Sequence, residues 1–178
     1  SKDIQILAPM YKGENGIDNL NKLLQDIFNP KIDQNEIKYM DVIYREGDKV
    51  LKLENDPDNN VFNGDIGYII DIKNNEITID FDSNIVKYNT KDLSTIKHGY
   101  AISVHKAQGS EFKIVFMPIT MAYKAMLYKK LIYTGITRAK YSLTLVGSKE
   151  AFLYSVENTN AYERRTDLKD KLLECINK

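Results

Sequence analysis

The spacing of apolar residues changes twice along the chain, and this change constrains the fold more than any other feature. Near the N-terminus a short apolar run, Ile4 to Ala8, precedes apolar residues that recur every three or four positions, which predicts a strand followed by a helix. Over 39–93 apolar and polar residues alternate between Gly, Asn-Gly and Asn-Asn turns, which predicts four to five antiparallel strands. From Gly99 the alternation of strands and helices returns.

Neither α/β part is long enough to form a domain alone, so the sequence predicts one discontinuous α/β domain with an all-β insertion. We expect the α/β domain to comprise 1–41 and 95–178, and the inserted small barrel to comprise 42–94. Within the second α/β part, 114–119 and 142–146 have the composition of buried parallel strands.

Several shorter elements follow from local patterns. Lys73-Asn74-Asn75-Glu76 predicts a two-residue hairpin turn, because Asn tolerates a positive φ angle. Helices are expected near 123–139 and 149–156, and the leucines of 161–176 predict an amphipathic C-terminal helix.

The chain is neutral overall, but its charges are unevenly distributed. Residues 94–149 contain nine Lys or Arg and the single acid Glu111, so this segment carries about +8. Such a segment attracts phosphates, although lysines along helices and strand ends can also form an ordinary solvated face.

Composition excludes several classes of protein. One cysteine and two histidines cannot assemble a structural zinc site, and no apolar run approaches the length of a membrane span. We therefore expect a protein of a reducing, cytoplasmic compartment, without a membrane association. Because the chain begins almost directly on a strand-like run, we also expect it to be part of a longer protein.

Phosphate-binding motifs are absent from the sequence: neither G-x-x-x-x-G-K-S/T nor G-x-G-x-x-G occurs. The GENG sequence at 13–16 is either a weak anion-binding nest or a turn that starts the first helix.

Two polar segments are harder to explain by packing. AISVHKAQGSEF (101–112) places His, Lys, Gln and Glu around Gly109 just before a buried strand, where ligands of parallel sheets bind. LIYTGITRAKYSLTLVG (131–147) places Thr134 and Arg138 four residues apart, on one predicted helical face. Two structural alternatives stay open: His105 as a core imidazole, and Arg138 as the partner of Glu111 in a salt bridge.

The segments together resemble a known family. HKAQGSEF resembles motif V, and YTGITRAK resembles motif VI, of superfamily 1 helicases. Residues 6–30 resemble the motif IV region of the RecD-like branch (superfamily 1B, the exodeoxyribonuclease V alpha subunit family), and 55–67 resemble the start of its inserted SH3-like barrel. The resemblance implies the second RecA-like domain, a P-loop NTPase-like fold without its own P-loop, interrupted by an SH3-like barrel.

By this resemblance two RecA-like domains clamp ATP with Mg²⁺, and the absent first domain holds most of the Mg²⁺ ligands. Arg138 matches the motif VI arginine that reaches the γ-phosphate. Gly109 and Glu111 match positions beside the nucleotide, and Gln108 is placed between nucleotide and DNA.

The resemblance also implies contacts with single-stranded DNA. His105 and Lys106 match positions near the phosphate backbone. Tyr11, Lys12, Thr134 and Asn63 are placed along the same strand, although Tyr11 is equally well explained as a turn aromatic.

The implied function is 5′-to-3′ translocation and unwinding of DNA, in repair or recombination, and the fragment alone is expected to lack ATPase activity. RecBC-type partners cannot be read from the residues. Two alternatives of another class are a non-catalytic module that binds single-stranded nucleic acid, and a protein-interaction domain built around the acidic barrel.

Overall fold

The structure is a computed structural model that describes residues 2–159, 173, 175 and 176. The C-terminal helix predicted for 161–176 lies outside the described residues, apart from 173, 175 and 176.

Strands and helices alternate at both ends of the described chain, and strands dominate its middle. The strands are β1 (Ile4–Ala8), β2 (Glu36–Tyr39), β3 (Val42–Arg45), β4 (Lys49–Lys52), β5 (Ile66–Lys73), β6 (Glu76–Phe81), β7 (Asn84–Asn89), β8 (Ile96–His98), β9 (Ala101–Ser103), β10 (Phe112–Ile119) and β11 (Ala139–Gly147). The helices are α1 (Ile17–Phe28), α2 (Lys129–Ile136) and α3 (Lys149–Glu157), with 3₁₀ turns at Pro57–Asn59, Thr90–Thr95 and Met121–Met126.

A parallel sheet with the order β11-β10-β1-β9 joins the two ends of the chain. Successive residues of a strand face opposite sides of a sheet. Ile6 therefore packs in one core with Ile17 of α1, whereas Leu7 belongs to the opposite core, with Leu131 of α2 and Ala151 of α3. The predicted α/β class with a parallel sheet is confirmed, and the structure places helices on both faces of that sheet.

The middle of the chain forms an antiparallel sheet with the order β7-β6-β5-β4-β8, together with the β2-β3 hairpin. The predicted hairpin turn is confirmed, since Lys73 pairs with Glu76 and the φ angles of Asn74 and Asn75 are 52° and 63°. The sheet extends to His98, beyond position 94, and the boundaries at 42 and 94 stay a prediction.

The helix predicted near 123–139 is wrong in its extent. Leu127 is fully buried in an extended conformation, which separates the 3₁₀ turn Met121–Met126 from α2. Helix α2 ends at Ile136, and the Arg138 carbonyl accepts a hydrogen bond from the Phe112 N–H at 2.9 Å, at the beginning of β10. Arg138 therefore lies outside the helix and does not share a helical face with Thr134.

Candidate functional site

Residues 104–111 connect β9 to β10 and are called the crossover. The crossover runs from the side of the sheet where the parallel strands end, the carboxyl edge, to the side where they begin, the amino edge. Ser103, the last residue of β9, pairs with Ala8 at the carboxyl edge, whereas Ile114 of β10 pairs with Ile4 near the amino edge. At about 3.3 Å per residue the connection covers roughly 20 Å along the strands. Its two ends therefore lie at opposite edges of the same domain.

Short-range hydrogen bonds make this crossover compact. The amides of Lys106 and Ala107 donate to the Ser103 hydroxyl and carbonyl, both at 3.1 Å, and the Ser110 amide donates to the Ala107 carbonyl at 3.1 Å. Val104 and Ala107 are buried against the sheet. Gly109 has a φ angle of +89°, which favours glycine because a side chain in the left-handed region is strained.

At the amino edge the Arg138 guanidinium is held beside the crossover. Its Nη1 donates to the Ser110 carbonyl at 2.9 Å and its Nη2 donates to the Thr137 hydroxyl at 3.2 Å. Its Nε is buried and has no hydrogen-bond partner within the part of the chain that the structure describes. A buried donor without a partner is unusual in a folded protein.

The other residues expected near a nucleotide lie along the same end of the crossover. Gln108, Gly109 and Glu111 are exposed. Among the described side chains no ion pair joins Glu111 to Arg138, whose guanidinium contacts a backbone carbonyl instead. The alternative of an internal Arg138–Glu111 salt bridge is therefore wrong.

At the carboxyl edge the crossover contacts the antiparallel sheet region. Lys106 Nζ donates a hydrogen bond to Oδ1 of Asn63, which precedes β5. Two predicted DNA-binding residues that are 43 positions apart are thereby brought together. His105 is exposed beside them, so the alternative of a buried core imidazole is wrong.

The loop after β1 lies next to this end of the crossover because β1 and β9 are neighbours in the sheet. Tyr11 and Lys12 are exposed there. Lys97 Nζ of β8 lies 5.3 Å from the centre of the Tyr11 ring, and 3.9 Å from the Asp18 carboxylate. No motif includes Lys97, so from the sequence it is only one cation of the basic segment.

Two predicted features do not join this group. The Thr134 hydroxyl donates to the Lys130 carbonyl of its own helix at 2.8 Å. In the GENG segment the Gly16 amide donates to the Gly13 carbonyl, and the next amide, of Ile17, donates to the Met10 carbonyl at 2.9 Å. Because these donors are already used within the loop, the turn interpretation of GENG is favoured over the anion nest.

Among residues 2–159, 173, 175 and 176, no three His, Cys, Asp or Glu side chains are grouped so that they could hold a metal ion. Within the same residues, no helix has the length and apolar character needed to cross a bilayer.

Comparison with known families gives two matches that follow each other along the chain. Residues 20–81 match the SH3 domain of ATP-dependent RecD-like DNA helicases, and residues 98–146 match the C-terminal domain of UvrD-like helicases. The first match covers most of α1, the β2-β3 hairpin and β4 to β6 of the antiparallel sheet, and the second covers the crossover and Arg138.

Curated relatives carry the same family names. The chain is 38% identical over 149 residues to the ATP-dependent RecD2 DNA helicase of Deinococcus radiodurans, covering 84% of this chain and 21% of that protein. It is 30% identical over 159 residues to the RecBCD enzyme subunit RecD of Buchnera aphidicola subsp. Schizaphis graminum, covering 87% of this chain and 26% of that protein. The chain thus spans about a fifth to a quarter of the length of these relatives.

Solved structures support the fold. The Pif1 helicase from Bacteroides, in complex with ADP-AlF3 and ssDNA, aligns with a TM-score of 0.61 at 15% identity, over 100% of this chain and 47% of that one. The Pif1 helicase from Candida albicans aligns with a TM-score of 0.51 at 13% identity, over 96% of this chain and 50% of that one. The family matches and the curated relatives show that the chain belongs to the RecD-like helicase family, and the parallel sheet and these solved structures show its RecA-like fold with an SH3-like domain.

Proposed function

We propose that this chain is the second RecA-like domain, with its inserted SH3-like barrel, of a longer ATP-dependent DNA helicase that moves 5′ to 3′. The domains would comprise 1–41 with 95–178, and 42–94. The names of the curated relatives and the small share of their length that the chain covers support this assignment.

The observation that carries the proposal is the Arg138 guanidinium. It is fixed by two hydrogen bonds at the amino edge of the sheet, and its buried Nε lacks a partner among the described residues. A permanently charged, forked donor of this kind stabilises the negative charge that develops on a transferred phosphoryl group. Arg138 would therefore act as the arginine finger, reaching the γ-phosphate of ATP held by the first domain.

The neighbours of Arg138 would line the nucleotide. The absent side chain of Gly109 allows the backbone to approach phosphate, and Glu111 and Gln108 are exposed on either side of it. Since no acidic group suited to a metal ion occurs among the described residues, Mg²⁺ would be held mainly by the first domain.

Single-stranded DNA would run along the carboxyl edge of the parallel sheet. Lys106 and His105 would contact phosphates without regard to sequence, and the exposed ring of Tyr11 would stack on a base. Lys12 lies beside Tyr11 in the loop after β1, and Asn63 lies beside Lys106. The Thr134 hydroxyl donates within α2, so Thr134 would contribute only through a rearrangement.

The crossover gives this arrangement a mechanism. One segment of eight residues has its first residues at the DNA edge and its last residues at the nucleotide edge. Closure of the nucleotide cleft would shift the crossover and, with it, the grip on the strand, and hydrolysis would reverse the shift. We further propose a cytoplasmic role in DNA repair or recombination. RecBC-type partners would occur only in organisms in which the corresponding protein is the RecD subunit of a RecBCD enzyme.

Strand displacement by the complete protein tests the proposed function. We expect ATP-dependent unwinding of a duplex that carries a 5′ single-stranded tail and no unwinding of the same duplex with a 3′ tail. Unwinding only from the 3′ tail would contradict the polarity. Binding of single strands that ATP analogues leave unchanged, without unwinding, would favour the non-catalytic binding module.

Lys106→Ala is expected to weaken binding of single-stranded DNA to a similar extent for all sequences. Because the lost contact is to phosphate, the slope of log affinity against log salt should fall by about 1. Fluorescence anisotropy with dT, dA and mixed oligonucleotides measures both effects. Lys87→Ala, which removes an exposed lysine from β7, is the matched control. A loss confined to one sequence would contradict a phosphate contact.

A further inference from the structure

The two connections between the parallel sheet and the antiparallel sheet converge on one buried carboxylate. Asp48 lies where the chain enters the antiparallel sheet, between β3 and β4, and it is 0% exposed. His98 and Tyr100 lie where the chain leaves that sheet and returns to β9. Helix α1 of the parallel-sheet domain packs beside both segments.

Five groups surround the Asp48 carboxylate at hydrogen-bond distance. They are Gln25 Nε2 at 2.6 Å, Asn29 Nδ2 at 2.7 Å, the Arg45 amide at 2.7 Å, the Tyr100 hydroxyl at 3.0 Å and His98 Nε2 at 3.1 Å. We call Asp48 and these five residues the Asp48 joint. Of the five donors, Gln25 lies in α1 and Asn29 caps its C-terminus, Arg45 lies in β3, and His98 and Tyr100 lie in the returning segment. One side chain thus links three separate parts of the chain.

The environment of Asp48 favours its charged form. Burial by itself would raise the pKa of this carboxyl, but the hydrogen bond and positive field of His98, with the bonds from Asn29 and Arg45, outweigh it and hold the pKa below its ordinary value. An ionised carboxylate only accepts hydrogen bonds, so it can satisfy every surrounding donor. An amide or a methyl group at this position would leave buried donors without a partner, which is costly.

Further buried contacts join β1 of the parallel sheet to the two segments that connect it with the antiparallel sheet. Lys49 Nζ of β4 donates to the Ile4 carbonyl of β1 at 3.0 Å, and burial lowers the pKa of Lys49 to about 8. Gln5 Nε2 of β1 donates to the Gly99 and Tyr100 carbonyls, both at 3.0 Å. Segments that connect independently moving domains are usually exposed and make few contacts. Here Asp48 and Lys49, where the chain enters the antiparallel sheet, and Tyr100, where it returns, are buried and hydrogen-bonded to α1 or β1.

We propose that Asp48 is a positioning residue that locks the inserted barrel to the parallel-sheet domain, so that the two move as one body. The consequence for DNA rests on the proposed function: the surface shared by Asn63 and Lys106 would be kept intact when the nucleotide cleft closes. Motion driven by ATP would then reach the barrel through the Asp48 joint and not through flexible linkers.

Distance measurements between the two sheets test the joint directly. In the 178-residue chain, with Cys175→Ser, spin labels are attached at Glu76→Cys on β6 and Glu150→Cys on α3, both exposed positions. Pulsed electron resonance should give one narrow distance distribution with Asp48 intact, and Asp48→Asn should broaden it about twofold or add a second distance. Tyr100→Phe, which removes one donor and keeps the ring, should broaden it less.

A control separates loss of the joint from general destabilisation. Val86→Ala opens a cavity in the barrel core, away from the joint, and should leave the distribution narrow. The proposal is overturned if Asp48→Asn and Tyr100→Phe both leave it narrow, or if it is broad with Asp48 intact. If Asp48→Asn prevents folding, Tyr100→Phe decides alone.

A second measurement, on the complete protein, tests whether the Asp48 joint couples ATP hydrolysis to strand separation. Asp48→Asn should lower the number of base pairs separated per ATP hydrolysed by about tenfold, while single-strand-stimulated hydrolysis changes by less than about threefold. A purely structural role would lower both in proportion to the folded fraction, and that result would contradict the proposal. If the unsubstituted protein hydrolyses ATP without separating strands, the proposed function fails, whereas the distance measurement still decides the joint.

Discussion

Replacing Arg138 with alanine is expected to lower the single-strand-stimulated ATPase rate of the complete protein by roughly 10³, with ATP still bound. The physical reason is that a finger of this kind stabilises charge that exists only in the transition state, so its loss lowers the catalytic rate more than the affinity. Arg138→Lys should restore little of the rate, because an ammonium group keeps the charge but not the forked geometry.

The measurement is steady-state phosphate release with saturating oligonucleotide, with binding of a fluorescent ATP analogue followed in parallel. Lys140→Ala is the matched control, since Lys140 is an exposed cation two positions further along the chain. A rate within a few-fold of the unsubstituted protein, with normal folding, would make Arg138 a structural residue that only holds the Ser110 carbonyl. Loss of ATP binding to the same extent as turnover would equally contradict the finger.

The 178-residue chain by itself is expected to hydrolyse no ATP above the uncatalysed rate. Phosphoryl transfer in P-loop enzymes requires backbone amides and a lysine around the β- and γ-phosphates, together with carboxylate and hydroxyl ligands for Mg²⁺. The sequence contains no P-loop motif, and the described residues contain no group suited to a metal ion. An arginine finger alone has no nucleotide to act on.

This prediction is measured with the purified chain and the complete protein at equal concentration, with and without single-stranded DNA, after circular dichroism confirms that the chain is folded. Turnover by the chain that Arg138→Ala abolishes would show that it contains a full catalytic site, and would overturn the assignment of this chain to half of one. Turnover that Arg138→Ala leaves unchanged points to a contaminating ATPase, and a repeat with further purified chain then decides.

Much of the fold could be predicted from the sequence because its signals are local. Helix α1 ends at Phe28, immediately before Asn29-Pro30, since proline removes a donor and restricts the residue before it. The turn between Lys73 and Glu76 depends on two adjacent asparagines. The helix before Arg138 is shorter than the local pattern predicts, because the burial of Leu127, which interrupts it, depends on the core.

The candidate site was predicted in a different way, through two motifs whose residues stand close together in the sequence. The motifs identified Arg138, Gly109 and Lys106, but neither Lys97 nor Asp48, which belong to no motif. A lysine in a basic segment and an aspartate in an acidic barrel resemble ordinary surface residues until their surroundings are known.

The sequence by itself therefore determined the α/β class, the presence of an all-β region and the family, since periodicity, turn residues and motifs are properties of neighbouring residues. Only the tertiary structure decided which distant residues meet: Asn63 with Lys106, Lys97 with Tyr11, and Asp48 with α1 and the returning segment. Such contacts depend on how the sheets and helices pack against each other. Packing is set by the whole core at once, so no single stretch of sequence encodes it.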